Sequence, residues 1–236
     1  MNNLMGAIHL RTKQVMVAQA VNANNLANAS TDGFVAELLH ISNDLDGRQN
    51  YSVPDLTRGP ILQTGRELDA SIQGEGWLAV LGPAGDEAYS RRGDFKIDAS
   101  GILTDGAGHM VMGNNGPIAL PPFETVTIGI DGTISIRPLG SQSNNLAVVD
   151  RIKLVNPDGG ELVRGEDGLF RLPQGIPIPA DATLRLQIGT LEGSNVNAVA
   201  ELLKMMDLAR EFESNFKLMQ SSDENAKRLN SLMRLS

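Results

Sequence analysis

The stretch from Asn195 to Leu235 constrains this chain more than any other. Val199, Leu202, Met206, Ala209, Phe212, Phe216, Met219, Ala226, Leu229 and Met233 recur at steps of three and four, or their sum, which places them on one stripe of a 3.6-residue helix. No proline or glycine interrupts it. At 1.5 Å per residue such a helix is roughly 60 Å long, more than a compact domain of this size needs. A helix of that length has to find partners outside its own globule. Its other face carries Glu213 with Lys217, and Glu224 with Lys227 and Arg228, so that acid precedes base by about one turn. Asn195 or Asn197 can cap the start, and Glu201 sits where the positive end of the helix dipole favours a carboxylate.

The opposite end of the chain offers a matching element. From about Leu4 to Ala29, with Leu4, Ile8, Val15, Ala18 and Leu26 near one face, a second helix is expected. Its stripe is thin, and Asn22, Asn24, Asn25 and Asn28 are poor helix formers, so it needs a partner to be ordered. Asparagines buried in a helix seam fix register, because each amide requires a hydrogen-bond mate. Ser30-Thr31-Asp32-Gly33 stops the helix.

Residues 35–69 have no sustained period and are broken by Asp46-Gly47, Pro54 and Gly59-Pro60; they read as an extended arm or linker. From residue 70 to 190 short apolar segments follow one another. They are Trp77–Leu81, Ala88–Arg91, Phe95–Ile97, Ile102–Thr104, Met110–Met112, Val126–Ile130, Ile134–Ile136, Leu146–Val155, Leu169–Leu172 and Leu184–Ile188. Between them stand turn formers such as Gly82-Pro83, Asp105-Gly106, Asp131-Gly132, Asp158-Gly159 and Asp167-Gly168. This is the pattern of an antiparallel β-domain, a sandwich or irregular barrel. The expected organisation is α+β: an N-terminal helix within 1–34, an arm over 35–69, a β-domain over 70–190 and a C-terminal helix within 191–236. With no helix inside the β-domain to pack on, the two terminal helices are expected to pair with each other in a coiled-coil-like domain and then with neighbouring subunits.

Composition narrows the functions. The net charge of −8 removes the counterion-release drive for nucleic-acid binding. No run reaches the roughly 18 apolar residues of a membrane span, and the N-terminus lacks the pattern of a cleaved secretion signal. There is no cysteine, which excludes thiol catalysis, disulfides and thiolate metal sites. His9, His40 and His109 fall in three separate segments without metal-ligand spacing. Gly74-x-Gly76 precedes a strand rather than a helix, so it is a turn and not a phosphate cradle. Glu75, Glu87 and Asp94 could serve as a carboxylate pair, but a chain with 28 Asp and Glu offers many such pairs by chance. Trp77 reads as an anchor of the β-core. No enzymatic activity and no cofactor or metal are expected.

The residues Asn24-Asn25-Leu26-Ala27-Asn28-Ala29-Ser30-Thr31-Asp32-Gly33-Phe34 resemble the N-terminal signature of the bacterial flagellar rod and hook family. Leu191-Glu192-Gly193-Ser194-Asn195-Val196-Asn197, followed by Glu201, Met206, Arg210, Phe212-Glu213 and Asp223-Glu224, resembles its C-terminal signature. Between them, Gly76-Trp77-Leu78-Ala79-Val80, Tyr89-Ser90-Arg91-Arg92-Gly93-Asp94-Phe95 and Asp167-Gly168-Leu169-Phe170-Arg171 are similar to the β-domain of the proximal-rod members, with distal-rod or hook members as rivals. The family signature usually has a basic residue after the phenylalanine, where this chain has Val35.

The resemblance implies a structural subunit of the basal-body rod that crosses the periplasm. It also implies export by the flagellar type III apparatus without a cleaved signal, and assembly with other proximal and distal rod subunits and with itself. The assembly interface is expected at Asn24, Asn25, Leu26, Asn28, Phe34, Asn195, Asn197, Val199, Leu202, Met206, Phe212, Phe216 and Met219. The rival from another class is a cell-wall carbohydrate-processing enzyme.

Overall fold

A computed structural model describes residues 2–42, 49–140, 146–157 and 162–233. The turns expected at Asp46-Gly47 and Asp158-Gly159 lie outside the described residues. So do the side chains of Leu4, Asp223, Ala226, Lys227, Arg228, Leu229 and Met233, and residue Leu235.

The chain is α+β, with two long helices packed on each other and a set of antiparallel sheets. Helix α1 spans Asn2–Ala27 and α2 spans Ala198–Met233. The strands between them are β1 (Glu37–Ser42), β2 (Gln49–Pro54), β3 (Ile61–Gln63), β4 (Ala70–Gln73), β5 (Trp77–Leu81) and β6 (Glu87–Ser90). There follow β7 (Lys96–Ile97), β8 (Leu103–Thr104), β9 (Met110–Gly113), β10 (Gly116–Pro117), β11 (Phe123–Ile128) and β12 (Thr133–Pro138). The last are β13 (Ala147–Arg151), β14 (Leu154–Val155), β15 (Val163–Arg164), β16 (Phe170–Arg171), β17 (Arg185–Ile188) and β18 (Thr190–Glu192).

Two compact units result. The helical unit comprises Met1–Ala29, Glu37–Val53 and Val196–Ser236, and the β unit Ser30–Ala36 with Pro54–Asn195.

In the β unit the main sheet runs β15-β16-β6-β5-β9-β8-β7, with β10 beside β9 and β14 beside β5. Strand β5, Trp-Leu-Ala-Val-Leu, is apolar at every position because both of its faces are covered. Leu78 enters a core with Phe95, Leu103, Val111, Ile134 and Leu186, while Trp77 and Ala79 enter a second cluster with Tyr89, Val155 and Phe170. The three-stranded sheet β11-β12-β13 lays Val126, Ile128, Ile134 and Ile136 on the first core.

Residues 35–69, expected as an arm without elements of its own, carry three strands. β1 and β2 form a two-stranded sheet, and β3 pairs with β18, Leu62 opposite Leu191. β3 is exposed at all three positions, so it shows no apolar alternation. Its order comes from a ladder with a strand far along the chain. The segment 146–155, expected as one strand, is two, because the chain leaves β12 after Arg151 and joins β5 at Leu154. The strand expected to reach Ile130 stops at Ile128. The Gly129 amide closes a turn onto the Thr133 carbonyl (2.8 Å), and the Asp131 carboxylate accepts from the Thr133 amide and hydroxyl.

Candidate assembly surface

Helix α2 starts at a cap made by one residue. The Asn197 side-chain oxygen accepts from the Val199 and Ala200 amides at 3.1 and 3.2 Å, and its carbonyl accepts from the Glu201 amide. Asn195, the other expected cap, is used elsewhere.

From there α2 presents two rows, each at alternating steps of three and four. The inner row is Glu201, Met205, Leu208, Phe212, Asn215, Met219 and Ser222, all buried or half-buried. The outer row is Val199, Leu202, Met206, Ala209, Glu213 and Phe216, all exposed. Both follow the 3.5-residue period of a coiled-coil seam. Of the α2 residues expected at the interface, Phe212 and Met219 therefore belong to the inner row, and Val199, Leu202, Met206 and Phe216 to the outer.

The inner row meets α1 antiparallel. Near the start of α2 the Asn22 amide donates to the Glu201 carbonyl (3.0 Å) and to its carboxylate. Further along, Arg11 pairs with Glu211 (2.9 Å), and the Thr12 hydroxyl lies 3.9 Å from the Met219 sulfur. Among the described residues Val15 is the buried aliphatic on the α1 side, and a groove of about 500 Å³ opens beside it, lined by Ala7, Arg11, Gln14, Ala18, Leu39, Leu208 and Glu211. The seam is polar for a helix pair. Asn22, Asn25 and Asn215 are buried, and among the described residues Asn22 Oδ1 and Asn215 Nδ2 find no hydrogen-bond partner. A buried polar atom without a partner costs about 1–3 kcal/mol, so this seam holds the helices less firmly than an apolar one of the same area.

The asparagines of the two signatures mostly hold backbone. Asn25 clamps Glu37 as a strand neighbour does, its Oδ1 accepting from the Glu37 amide and its Nδ2 donating to the Glu37 carbonyl, both at 2.9 Å. One residue earlier, in the β unit, Asn195 Oδ1 accepts from the Ala36 amide (2.7 Å) while its Nδ2 donates to the carbonyls of Asp55 and Thr57 at 2.8 and 2.9 Å. Asn28 donates to the Asn24 carbonyl (2.9 Å) in the last turn of α1, where Asn24 is exposed and Leu26 half-buried. Phe34 is buried with the Arg164 guanidinium 4.4 Å above its ring.

The turn after α1 is fitted to the β unit by shape. Gly33 has φ of +68°, and a Cβ there would lie 2.5 Å from Arg92 Cα; its amide donates to the Glu192 carbonyl. Beside it Asp32 has its pKa raised, first by burial and then by the Asp94 carboxylate. In the sequence Glu192 stands out only as part of the C-terminal signature. In the structure its buried carboxylate takes Arg58 at 3.1 Å, the Gly59 amide at 3.2 Å and Arg91 at 3.5 Å, and Arg91 stacks 4.6 Å over Trp77. The signal that could have found it was a lone acid in an apolar strand flanked by glycines. Burial lowers the Arg91 pKa and Glu192 opposes that shift.

The acidic side chains weighed as a catalytic pair are mostly tied up by basic partners. Glu87 holds Lys153 at 2.7 Å and accepts from Tyr89, and Asp94 is paired bidentately with Arg92 at 2.7 and 3.0 Å. The carboxylates considered for glycoside chemistry are thus engaged in ion pairs, Glu75 apart, which is exposed. Among the described residues no group of three metal-ligating side chains comes together.

Comparison with known proteins decides the family. Residues 71–136 match the flagellar hook protein FlgE/F/G D1 domain, and residues 187–232 match the flagellar basal body rod FlgEFG protein C-terminal region. The chain is 44% identical to flagellar basal-body rod protein FlgF of Escherichia coli over 94% of its own length and 95% of the relative's. It belongs to the FlgF family of flagellar basal-body rod proteins. FlgF of Salmonella typhimurium is 41% identical over 94% of this chain and 95% of that one, whereas FlgG of Buchnera aphidicola is 30% identical over 94% and 97%. As a FlgF-family member the chain is a structural subunit of the flagellar rod and not an enzyme. The matched C-terminal region contains the whole outer row of α2, and the matched D1 region contains β5, β6 and β9 of the main sheet.

Proposed function

We propose that the outer row of α2 is the surface through which this rod subunit joins its axial neighbours, which comprise proximal and distal rod subunits and further copies of itself. One observation carries the reading. Val199, Leu202, Met206 and Phe216 are 68%, 49%, 54% and 50% exposed along one line of a helix whose other row is already occupied. An exposed apolar line of that kind, interrupted at Glu213, marks an interaction site. Fully burying such side chains contributes about 1.5–3 kcal/mol each, enough to couple assembly to ordering of the helix. Asn24, Leu26 and Asn28 lie at the C-terminal end of α1 and Asn197 at the start of α2, where they hold the helix ends in position for that contact. Asn25, Phe34 and Asn195 act through the backbone they pin.

The subunit reaches its place by the flagellar type III route and stands in the proximal rod across the periplasm. The absence of cysteine suits passage as an unfolded chain, because no disulfide can trap it. Among the described residues no helix is long and apolar enough to cross a membrane, in keeping with an axial rather than a membrane-inserted subunit.

The test is Phe216→Asp, with rod assembly read from purified basal bodies and the fold of the purified variant read by near-ultraviolet circular dichroism. A folded β unit with no incorporation is the expected result. A variant that still builds a working rod would remove the outer row as the assembly surface.

A further inference from the structure

Asparagine is followed by glycine once in this sequence, at Asn115-Gly116. The pair closes the hairpin of β9 and β10, where Gly116 stands opposite Gly113 and leaves Asn114 and Asn115 as the loop. Both asparagines are exposed, and the Asn115 side chain makes no hydrogen bond among the described residues. Gly116 has φ of +121°, a region that glycine enters at little cost, and a Cβ built on it would meet nothing within 4 Å. The turn therefore calls for the one residue type that leaves its own amide unshielded, and it sets that amide in open space beside a free carboxamide.

The Asp-Gly turns of the β unit are built differently. The Asp105 carboxylate accepts from the Ala107 and His109 amides, that of Asp131 from Thr133, and that of Asp167 from the Leu169 amide and Arg171. Their glycine amides are engaged too, Gly106 with the Asp94 carboxylate, Gly132 with the Gly129 carbonyl and Gly168 with the Gly165 carbonyl. An ionised carboxylate held in this way is a poor electrophile. Asn115 instead carries a neutral amide that is free to rotate, and only the last rung of a two-residue ladder has to open for the Gly116 nitrogen to reach it.

We propose that Asn115 is a site of spontaneous deamidation. The Gly116 backbone nitrogen gives up its proton to solvent and attacks Cγ of Asn115. The new N–Cγ bond forms, the Cγ–Nδ2 bond breaks, and Nδ2 takes up a proton and leaves as ammonia. The product is a five-membered imide, which water opens at either carbonyl to give aspartate or isoaspartate. One water is consumed and one ammonia released, with no oxidant, metal or enzyme. The new carboxylate arrives near Gly113, where the Asp150 carboxylate already lies 2.6 Å from the place of a Cβ. The isoaspartyl form also lengthens the backbone of a loop whose strands hold Ile118 to Val111, amide to carbonyl, at 3.0 Å. Both changes loosen the hairpin from its turn end.

The test is incubation of the full-length folded protein at neutral and at mildly alkaline pH, with the peptide that holds Asn114 and Asn115 followed by mass spectrometry and electron-transfer fragmentation. A gain of one dalton at Asn115 is expected, with both aspartate and isoaspartate as products. It should run about tenfold faster than at Asn114 or Asn195, because only at Asn115 does the attacking amide belong to a residue without a Cβ. The rate should rise with pH, since the nitrogen must lose a proton, and the gain should vanish in Asn115→Gln. Equal rates at Asn114 and Asn115, a rate indifferent to pH, or a folded chain that stays unchanged while the urea-unfolded chain converts would overturn the proposal.

Discussion

The two units handle apolar surface in opposite ways. In the β unit Leu78, Leu103, Ile134, Ile136 and Leu186 are at most 1% exposed, and the buried charges Glu192, Arg91 and Asp94 are met by partners. Among the described residues of the two helices, those fully buried are three asparagines and one valine, while four of the six outer-row residues of α2 are large apolar side chains in water. A monomer optimised for its own stability would exchange those rows. That arrangement is what the proposed assembly role of the outer row requires, with helices completed by neighbours.

That contrast can be broken most directly by truncation. Leu103→Ala should lower the unfolding free energy of the isolated protein by about 2–5 kcal/mol, whereas Leu202→Ala should stay within about 0.5 kcal/mol, both read by urea denaturation. Equal losses would mean that the outer row is covered in the monomer. Next in size is Glu192→Gln, which leaves the Arg91 guanidinium buried without its counter-charge and should cost roughly 3 kcal/mol in the same measurement. Asn197→Ala removes the α2 cap and should cost about 1 kcal/mol, seen as faster amide exchange at Val199 and Ala200 with no change in the β core.

The smallest effect expected is the dependence on acid. Asp86 and Asp167 have lowered pKa values, chiefly through hydrogen bonds from Arg171. Their folded values lie below the unfolded one, so the stability they contribute is present at neutral pH and is lost as pH falls through and below the ordinary carboxylate range. Asp32 works with the opposite sign. Its pKa is raised by burial, so its ionised form costs the fold, and protonation relieves that cost as pH falls. Asp167→Asn should flatten the acid limb of β-unit stability, and Asp32→Asn should raise stability slightly at neutral pH. At the alkaline end Tyr89, pushed up to about 12 mainly by burial, stays protonated in the fold after the unfolded chain has begun to ionise. Stability should therefore fall above pH ~10.

Much of this was legible in local pattern. The two helices, strand β5 at Trp77–Leu81 and the turns at Asp105, Asp131 and Asp167 follow from periodicity and turn chemistry, because their conformations are chosen by neighbours in sequence. Strands β1 to β3 were hidden. β3 has no buried position to mark it and exists through its ladder with β18. The same holds for Glu192, whose partners Arg58 and Arg91 come from distant segments.

What the residues settled unaided is that α2 is a long helix with apolar positions every three or four residues, and that the family signatures stand at both ends of the chain. Spacing alone could not say that those positions form two rows, because at 3.6 residues per turn adjacent heptad seams overlap within one broad stripe. Only the packing of α1 along Glu201, Glu211 and Met219 turned the inner row, Phe212 included, toward α1 and left Val199, Leu202, Met206 and Phe216 in water. The choice of face is a contact between segments at opposite ends of the chain, and no local sequence pattern contains that contact.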